Sequence, residues 1–173
     1  MPYFIIVSII FVINCSNLQV IPEPTLDSMT VKSESFCPTW NWHPICIDSK
    51  PNSFHFRGTI NNTTSERRIY MDYYLDSFDT DIPVGVSLKI NGTYYVLKKN
   101  LTDYSDALKL RSEISEDIVK LISSTNEPIS LSYSNRKSSM NFDFSNSETE
   151  KVKNNLKSVV DKLNSIQKMK VIR

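Results

Sequence analysis

Two cysteines bracket a short segment that contains both tryptophans of the chain and one of its two histidines, and it reads FCPTWNWHPICI from Phe36 to Ile47. A disulfide between Cys37 and Cys46 would close a loop of about ten residues, and we call residues 37–46 the aromatic loop. Aromatic anchors on a restrained backbone favour contact with a partner, because docking then costs little conformational entropy. The alternative is that one tryptophan packs beneath a sheet as core. The candidate binding residues are Trp40, Trp42 and His43.

The two histidines, His43 and His55, are the candidate general bases near neutral pH, and they keep a hydrolase open as an alternative function. His55 follows Phe54 in an alternating pattern, so it lies on the opposite face of the strand, where it could be a surface residue. The three glycines of the chain are too far apart for a phosphate-binding loop, which excludes Rossmann and P-loop enzymes. No serine stands in a G-x-S-x-G elbow. We therefore assign no catalytic residue and no cofactor.

Metal binding is the less favoured interpretation of two groups of residues. The possible zinc ligands are Cys37, His43, Cys46 and His55. Their spacing is not a common zinc pattern, and an exported cysteine pair favours a disulfide. The acidic segment DSFDTD, with Asp76, Asp79 and Asp81, lacks the glycine and the distal glutamate of an EF-hand loop, which favours a solvated loop over a calcium site. The sequence predicts no metal site.

The N-terminal residues 1–15 have the character of an export signal. Tyr3 to Ile13 is an apolar run interrupted only by Ser8, too short to span a bilayer and suited to the core of a signal peptide. The motif VINCS makes Cys15 a candidate for lipidation, as in a bacterial lipoprotein; alternatively a signal peptidase removes it. Either outcome leaves Cys37 and Cys46 to pair. We expect a protein that is periplasmic, secreted, or anchored to a membrane through Cys15.

Four asparagines begin N-x-Ser/Thr sequons and become glycosylation candidates if the source is eukaryotic. They are Asn61, Asn62, Asn91 and Asn100.

Charge is distributed unevenly along a chain whose formal net charge is +1. Residues 151–173 contain seven Lys or Arg and one Asp, a net charge of +6, so residues 1–150 carry −5. This basic terminal segment is typical of the solvated face of a helix packed on an acidic domain. Since aromatic interleaving and a known nucleic-acid module are both missing, we expect no nucleic-acid partner.

The middle of the chain alternates with period two. Such segments predict strands around Phe54–Arg57, Ile69–Leu75, Ile82–Ile90 and Leu108–Ile114. Asn91-Gly92 predicts a type I′ hairpin that places Leu88 opposite Tyr95. Further strands are predicted at Ile129–Tyr133 and Met140–Phe144, and a short helix is capped by Ser115.

A closing helix is predicted from an amphipathic spacing that includes Val152, Leu156 and Leu163, with Ser147 and Glu150 as its capping box. The fold class is therefore α+β, an antiparallel sheet or partial sandwich with a short helix and a C-terminal amphipathic helix packed on one face. The expected domains are a signal at 1–15, a tether or peripheral strand at 16–35, and a single domain at 36–173.

The layout that begins with PVGVSLKINGTYYVL and continues with ISLSY, MNFDF and a closing helix resembles the bacterial invasion-associated locus B family of exported β-sandwich proteins. The resemblance covers about half of the chain. Nothing after Cys46 is a cysteine, so the family's mid-domain cysteine pair is missing here. The resemblance implies an envelope or secreted protein without known catalysis, and it transfers no functional residues.

The favoured function is that of a small exported binding protein that acts by protein contact, as an inhibitor, an immunity protein or a factor that engages a host or envelope component. The expected partner is a protein or an envelope component. The alternatives are a structural lipoprotein anchored in the envelope and a hydrolase that uses His43 or His55.

Overall fold

A computed structural model describes residues 18–38, 50–75, 81–104 and 108–171, and in these residues the protein is α+β, as predicted. Two antiparallel sheets are accompanied by helices α1 (Glu116–Ser124) and α2 (Asn146–Val171). A 3₁₀ turn covers Pro24–Leu26. The described strands are β1 (Gln19–Glu23), β2 (Ser28–Lys32), β3 (Phe54–Asn61), β4 (Arg67–Tyr74), β5 (Pro83–Ile90), β6 (Thr93–Val96), β7 (Lys98–Asp103), β8 (Lys109–Ile114), β9 (Ser130–Asn135) and β10 (Ser139–Asp143).

One sheet has six strands in the order β1-β2-β3-β4-β8-β7, and the other has four in the order β10-β9-β5-β6. The chain passes from the smaller sheet to the larger one at Leu97, between β6 and β7. Leu97 is 2% exposed, and its N–H donates to the carbonyl of Val86 at 2.9 Å. A single extended stretch therefore belongs to both sheets and ties them together.

The β5–β6 hairpin has the predicted register. Leu88 lies opposite Tyr95, and Ile90 lies opposite Thr93. Both turn residues have positive φ, 49° at Asn91 and 77° at Gly92, as a type I′ turn requires.

Of the two alternatives for residues 16–35, the structure agrees with peripheral strands and not with a tether, because β1 and β2 lie at one edge of the larger sheet. Strand β2 pairs with β3, and Val31 and Thr30 are both 0% exposed. The domain therefore begins before residue 36, because β1 and β2 complete one side of the six-stranded sheet.

The inner faces of the two sheets share one aromatic core. The rings of Tyr73 on β4 and Tyr133 on β9 stack with their centroids 5.1 Å apart. At one end of the sheet, Phe36 contacts Phe54 and Phe144 at centroid distances of 5.3 and 5.1 Å. Edge and offset ring contacts of this kind add to the area that the rings bury.

Helix α2 packs on the inner face of the larger sheet, mainly against β3. The predicted apolar positions Val152, Leu156 and Leu163 are all buried. The capping box lies two residues earlier than predicted: the N–H of Ser145 donates to a carboxylate oxygen of Glu148 at 2.8 Å, and the N–H of Glu148 donates to Oγ of Ser145 at 3.3 Å. Ser147 and Glu150 are therefore inside the helix. Two overlapping Ser-x-x-Glu spacings made the wrong one as plausible as the right one.

Gly58 lets the helix approach the sheet closely. A Cβ at this position would lie 2.4 Å from Cδ1 of Leu163 and 2.8 Å from Cγ1 of Val159. Both contacts are shorter than packed carbon atoms allow, so a side chain at residue 58 would displace the helix or its side chains.

We predict that Gly58→Ala lowers the free energy of unfolding by about 1–3 kcal/mol through overpacking. Leu163→Ala alone should cost about 2–5 kcal/mol by leaving a cavity. In the double variant the new methyl group occupies space that Leu163 vacated, so the double loss should be smaller than the sum of the single losses. Urea unfolding of the four proteins measures this coupling.

Gly85→Ala is the control, because nothing lies within 4 Å of the position that its Cβ would take. Strict additivity of Gly58→Ala and Leu163→Ala would contradict the proposed close approach.

Candidate functional site

The predicted binding residues Trp40, Trp42 and His43 lie outside the described residues, as do Cys15 and Cys46. Cys37 is described, and its sulfur is in a disulfide. The pairing of Cys37 with Cys46 remains a prediction. The described residues nearest to the aromatic loop are those up to residue 38 and those from residue 50, and their hydrogen bonds show how the chain is attached on each side.

Both ends of the segment that carries the aromatic loop are bound to the β3–β4 pair. Before it, Phe36 exchanges two backbone hydrogen bonds with Phe54, of 2.7 and 2.9 Å. After it, the N–H of Asn52 donates to the carbonyl of Tyr74 at 2.8 Å, and the hydroxyl of Tyr73 donates to Oδ1 of Asn52 at 2.7 Å. Phe36 and Asn52 therefore both lie at the same end of these two strands.

His55 is not at the surface, a position that the sequence left open for it: the residue is 2% exposed. It does lie on the outer face of β3, opposite to Phe54 and Phe56, but that face is itself covered at this point. Its Nε2 is 3.5 Å from Oδ2 of Asp72, and its ring lies 5.7 Å from that of Tyr74. Within the described residues, neither ring nitrogen has a hydrogen-bond partner.

Asp72 is the centre of this cluster. It is 1% exposed and receives two hydrogen bonds from Arg111, from Nε to Oδ1 at 2.7 Å and from Nη2 to Oδ2 at 2.8 Å. Burial by itself raises the pKa of Asp72, but the hydrogen bonds from Arg111 and the proximity of His55 outweigh it and hold the pKa well below the ordinary value. Burial lowers the pKa of Arg111, and Asp72 more than reverses that effect. The two groups are therefore charged throughout the physiological range.

A second polar cluster lies two residues along the same face. Arg57 Nη2 donates to Oε1 of Glu23 and, at 3.1 Å, to Oγ1 of Thr30. The hydroxyl of Thr30 in turn donates to the same Glu23 oxygen at 2.6 Å. These bonds join β1, β2 and β3, so the side chain of Arg57 is held in place.

A pocket of about 300 Å³ opens on this outer face around Tyr70, and we call it the arginine pocket. Its lining residues are Glu23, Leu26, Ser28, Arg57, Thr59, Asn61, Glu66, Arg68, Tyr70, Asn100 and Arg111. Arg57 lies directly opposite Tyr70 in the sheet, and Cζ of Arg111 lies 5.8 Å from the centre of the tyrosine ring. Three guanidinium groups thus surround one aromatic floor.

The glycosylation candidates differ in their surroundings. Asn62, Asn91 and Asn100 are exposed, and Asn61 is half-buried. Oδ1 of Asn61 accepts from the backbone N–H of Thr63 and Thr64, at 2.8 and 2.7 Å. Oδ1 of Asn91 accepts from the hydroxyl of Thr125 at 2.6 Å, which joins the hairpin turn to the end of α1. Asn61 and Asn91 therefore have structural roles that do not require a glycan.

The acidic loop considered for calcium is only partly described. Asp81 lies within the described residues, and one of its carboxylate oxygens is 2.9 Å from Nζ of Lys137, an ion pair across the ends of two strands. Among the described residues, no three His, Cys, Asp or Glu side chains are grouped so that they could hold a metal ion. No helix in the described ranges has the length and apolar content needed to cross a bilayer.

Comparison of the chain with protein-family models, with curated proteins and with solved structures finds no match. The site is therefore defined by the geometry of this chain alone.

Asp72, Arg111 and Arg57 were not among the residues predicted from sequence. A signal for them is present, because each stands at a polar position of an alternating strand: Arg57 in phase with His55 on β3, Asp72 in phase with Tyr70 on β4, and Arg111 on β8. What sequence alone did not supply is the register, which brings Asp72 opposite both His55 and Arg111.

We predict that Asp72→Asn lowers the free energy of unfolding by about 3 kcal/mol at neutral pH, because it leaves the largely buried Arg111 without its anion. The difference from wild type should shrink as the pH falls below 3.8, the ordinary pKa of aspartate. The unfolded wild-type chain takes up a proton there that the folded protein does not, so wild-type stability is lost with acid. Urea unfolding between pH 7 and the acid range measures both effects.

The control is Asp117→Asn on α1, whose carboxylate is exposed and 3.6 Å from Nζ of Lys120. It should change stability little at any pH. A constant difference between wild type and Asp72→Asn across the acid range would contradict the pairing.

Proposed function

We propose that this protein is a small exported binding protein that acts by contact with a protein or envelope component, through the aromatic loop. The support comes from the attachment of the loop-bearing segment. Phe36 and Asn52, at its two ends, are hydrogen-bonded to adjacent strands of one rigid sheet. The disulfide of Cys37 adds a covalent restraint at one end.

Fixed loop ends reduce the entropy that a partner must remove when it docks. Trp40 and Trp42 are of the residue type that contributes most to protein contacts. The resemblance to the invasion-associated locus B family and the signal-like start at residues 1–15 support the same exported class.

The geometry at His55 gives little support to the alternative of a hydrolase. A general base must reach the proton that it abstracts, and the ring of His55 is enclosed beside Asp72 and Tyr74. Ser112 also has a buried hydroxyl without a hydrogen bond among the described residues. However, Ser112 lies opposite Met71, on the inner face, so it cannot act together with His55.

The chain has only two tryptophans, and both lie in the aromatic loop, so tryptophan fluorescence reports on this loop alone. We predict that iodide quenches both tryptophans in the free protein. Trp40→Ala with Trp42→Ala should abolish partner capture from the extracellular or envelope fraction of the source. Pull-down with mass spectrometry identifies the partner, and circular dichroism follows unfolding.

The matched control is Tyr94→Ala, which removes an aromatic side chain that is 61% exposed on β6. It should leave capture intact. Retained capture in the double tryptophan variant would refute the proposed contact, and unfolding of that variant together with unquenched emission would show that the tryptophans are core.

The second candidate, a lipoprotein anchored in the envelope, is favoured by one observation, the motif VINCS around Cys15. If Cys15 is lipidated, the protein expressed with its own N-terminus should partition into the detergent phase, and Cys15→Ser should release it. Intact mass would then show acyl chains on a chain that begins at Cys15. A soluble wild type that begins after Cys15 would reject the anchor and leave the contact function in place.

A further inference from the structure

We propose that the arginine pocket binds a small acidic sugar, that is, a hydroxylated ring that carries a carboxylate, sulfate or phosphate group. The inference goes beyond the contact function, and its test uses other residues than the aromatic loop. The two proposals therefore fail independently.

The three arginines of the pocket each bind a carboxylate with only part of their guanidinium group. Arg68 donates from Nε to Oε1 of Glu66 at 2.9 Å, and its Nη2 lies 2.8 Å from the same oxygen. Arg111 uses Nε and Nη2 for Asp72, and Arg57 uses Nη2 for Glu23 and Thr30. Arg68 also hydrogen-bonds the side chain of Tyr70 on the pocket floor. For Arg57 and Arg111, the hydrogen bonds to described residues use Nη2, and in Arg111 also Nε, while Nε of Arg57 is without a partner among the described residues. These two guanidinium groups are thus fixed along one edge and retain N–H groups for a ligand.

The charges around the pocket are balanced. The guanidinium groups of Arg57 and Arg68 face the carboxylates of Glu23 and Glu66, and Arg111 faces Asp72, which is 1% exposed beneath the pocket. What the pocket offers to an anion is therefore guanidinium N–H groups and not a net charge. Guanidinium groups prefer the paired oxygens of carboxylate, sulfate and phosphate, which they bind with two parallel hydrogen bonds.

Arg57 and Arg111 are held in place before any ligand binds. The side chains of Arg57 and Arg111 are only 13% and 16% exposed, and their partners lie on neighbouring strands. An anion that binds there does not have to order two long side chains, so the entropy cost that weakens most surface ion pairs is already met.

The volume and the lining of the arginine pocket indicate the class of ligand. A volume of about 300 Å³ is at the lower end of the range for small-molecule sites, which suits one sugar ring and not a strand or a helix. Beside the arginines, the wall presents amide and hydroxyl groups, which suit the hydroxyl groups of a sugar. These groups belong to Ser28, Thr59, Asn61 and Asn100.

The test measures binding of glucuronate and glucose 6-sulfate by isothermal titration calorimetry, with glucose and inorganic sulfate as comparison ligands. Both acidic sugars should bind, more weakly as salt rises, and glucose should not. Arg68→Gln should weaken binding about tenfold, the loss expected for one charge-assisted hydrogen bond.

Arg67→Gln is the matched control. It makes the same change in charge on the adjacent residue, but Arg67 lies on the other face of β4, beside Asn164 and Glu116 of the helices. It should leave binding unchanged. Chemical shifts in the amide NMR spectrum should change at Thr59, Tyr70 and Asn100, which locates the ligand without any substitution.

A methyl glycoside of glucuronate separates two sources of the same chemistry. In the methyl glycoside the anomeric hydroxyl is blocked and the carboxylate is unchanged. If it binds as well as free glucuronate, the ligand is the terminal unit of a glycan; if only free glucuronate binds, the ligand is a soluble metabolite. The proposal is overturned if neither acidic sugar binds, if glucose or inorganic sulfate binds equally well, or if Arg67→Gln and Arg68→Gln weaken binding to the same extent.

Discussion

The ion pair between Asp72 and Arg111 fixes the middle of the six-stranded sheet. An enclosed carboxylate is tolerated only when it is paired and hydrogen-bonded, and Asp72 meets this condition only with β8 in its present register. A slip of one residue would turn Asp72 toward the inner face, among the apolar side chains around Met71. The pair therefore specifies which face of β4 meets the core.

Several other features depend on that orientation, because they are carried by β3 and β4. The inner face presents Gly58 to helix α2 and Tyr73 to the smaller sheet. The outer face presents Arg57 and Tyr70, which form part of the arginine pocket. The ends of the same strands hold the chain on either side of the aromatic loop. Core, pocket and loop attachment are thus parts of one hairpin, and a change in its register would alter all three.

Local patterns in the sequence were sufficient to predict the fold class, the strands from β3 onward except β7, and both helices, because alternation and amphipathic spacing are local signals. Strand β7 was missed because its sequence KKNLTD does not alternate between apolar and polar residues. The β5–β6 register was also predictable, since Asn91-Gly92 defines a two-residue turn. The burial of His55 was not predictable. Period two indicates which face of a strand a residue occupies, but it does not indicate whether side chains from other strands cover that face. Arg111 lies 39 residues after Asp72 in the sequence, so no local pattern could predict that the two side chains pair.

On the outer face of the larger sheet, charged side chains hold one another in place. Asp72 and Arg111 both hold their charges more firmly than the isolated side chains would, and Arg57 is anchored to Glu23 and Thr30. A catalytic acid or base needs the opposite, a proton that is exchanged near neutral pH at a group that a substrate can touch. Charges that stay fixed, on side chains that stay in place, are suited instead to recognition, because they present the same donors before and after a ligand arrives. The polar face therefore agrees with a protein that binds, and the stability of its ion pairs is what makes its shape constant.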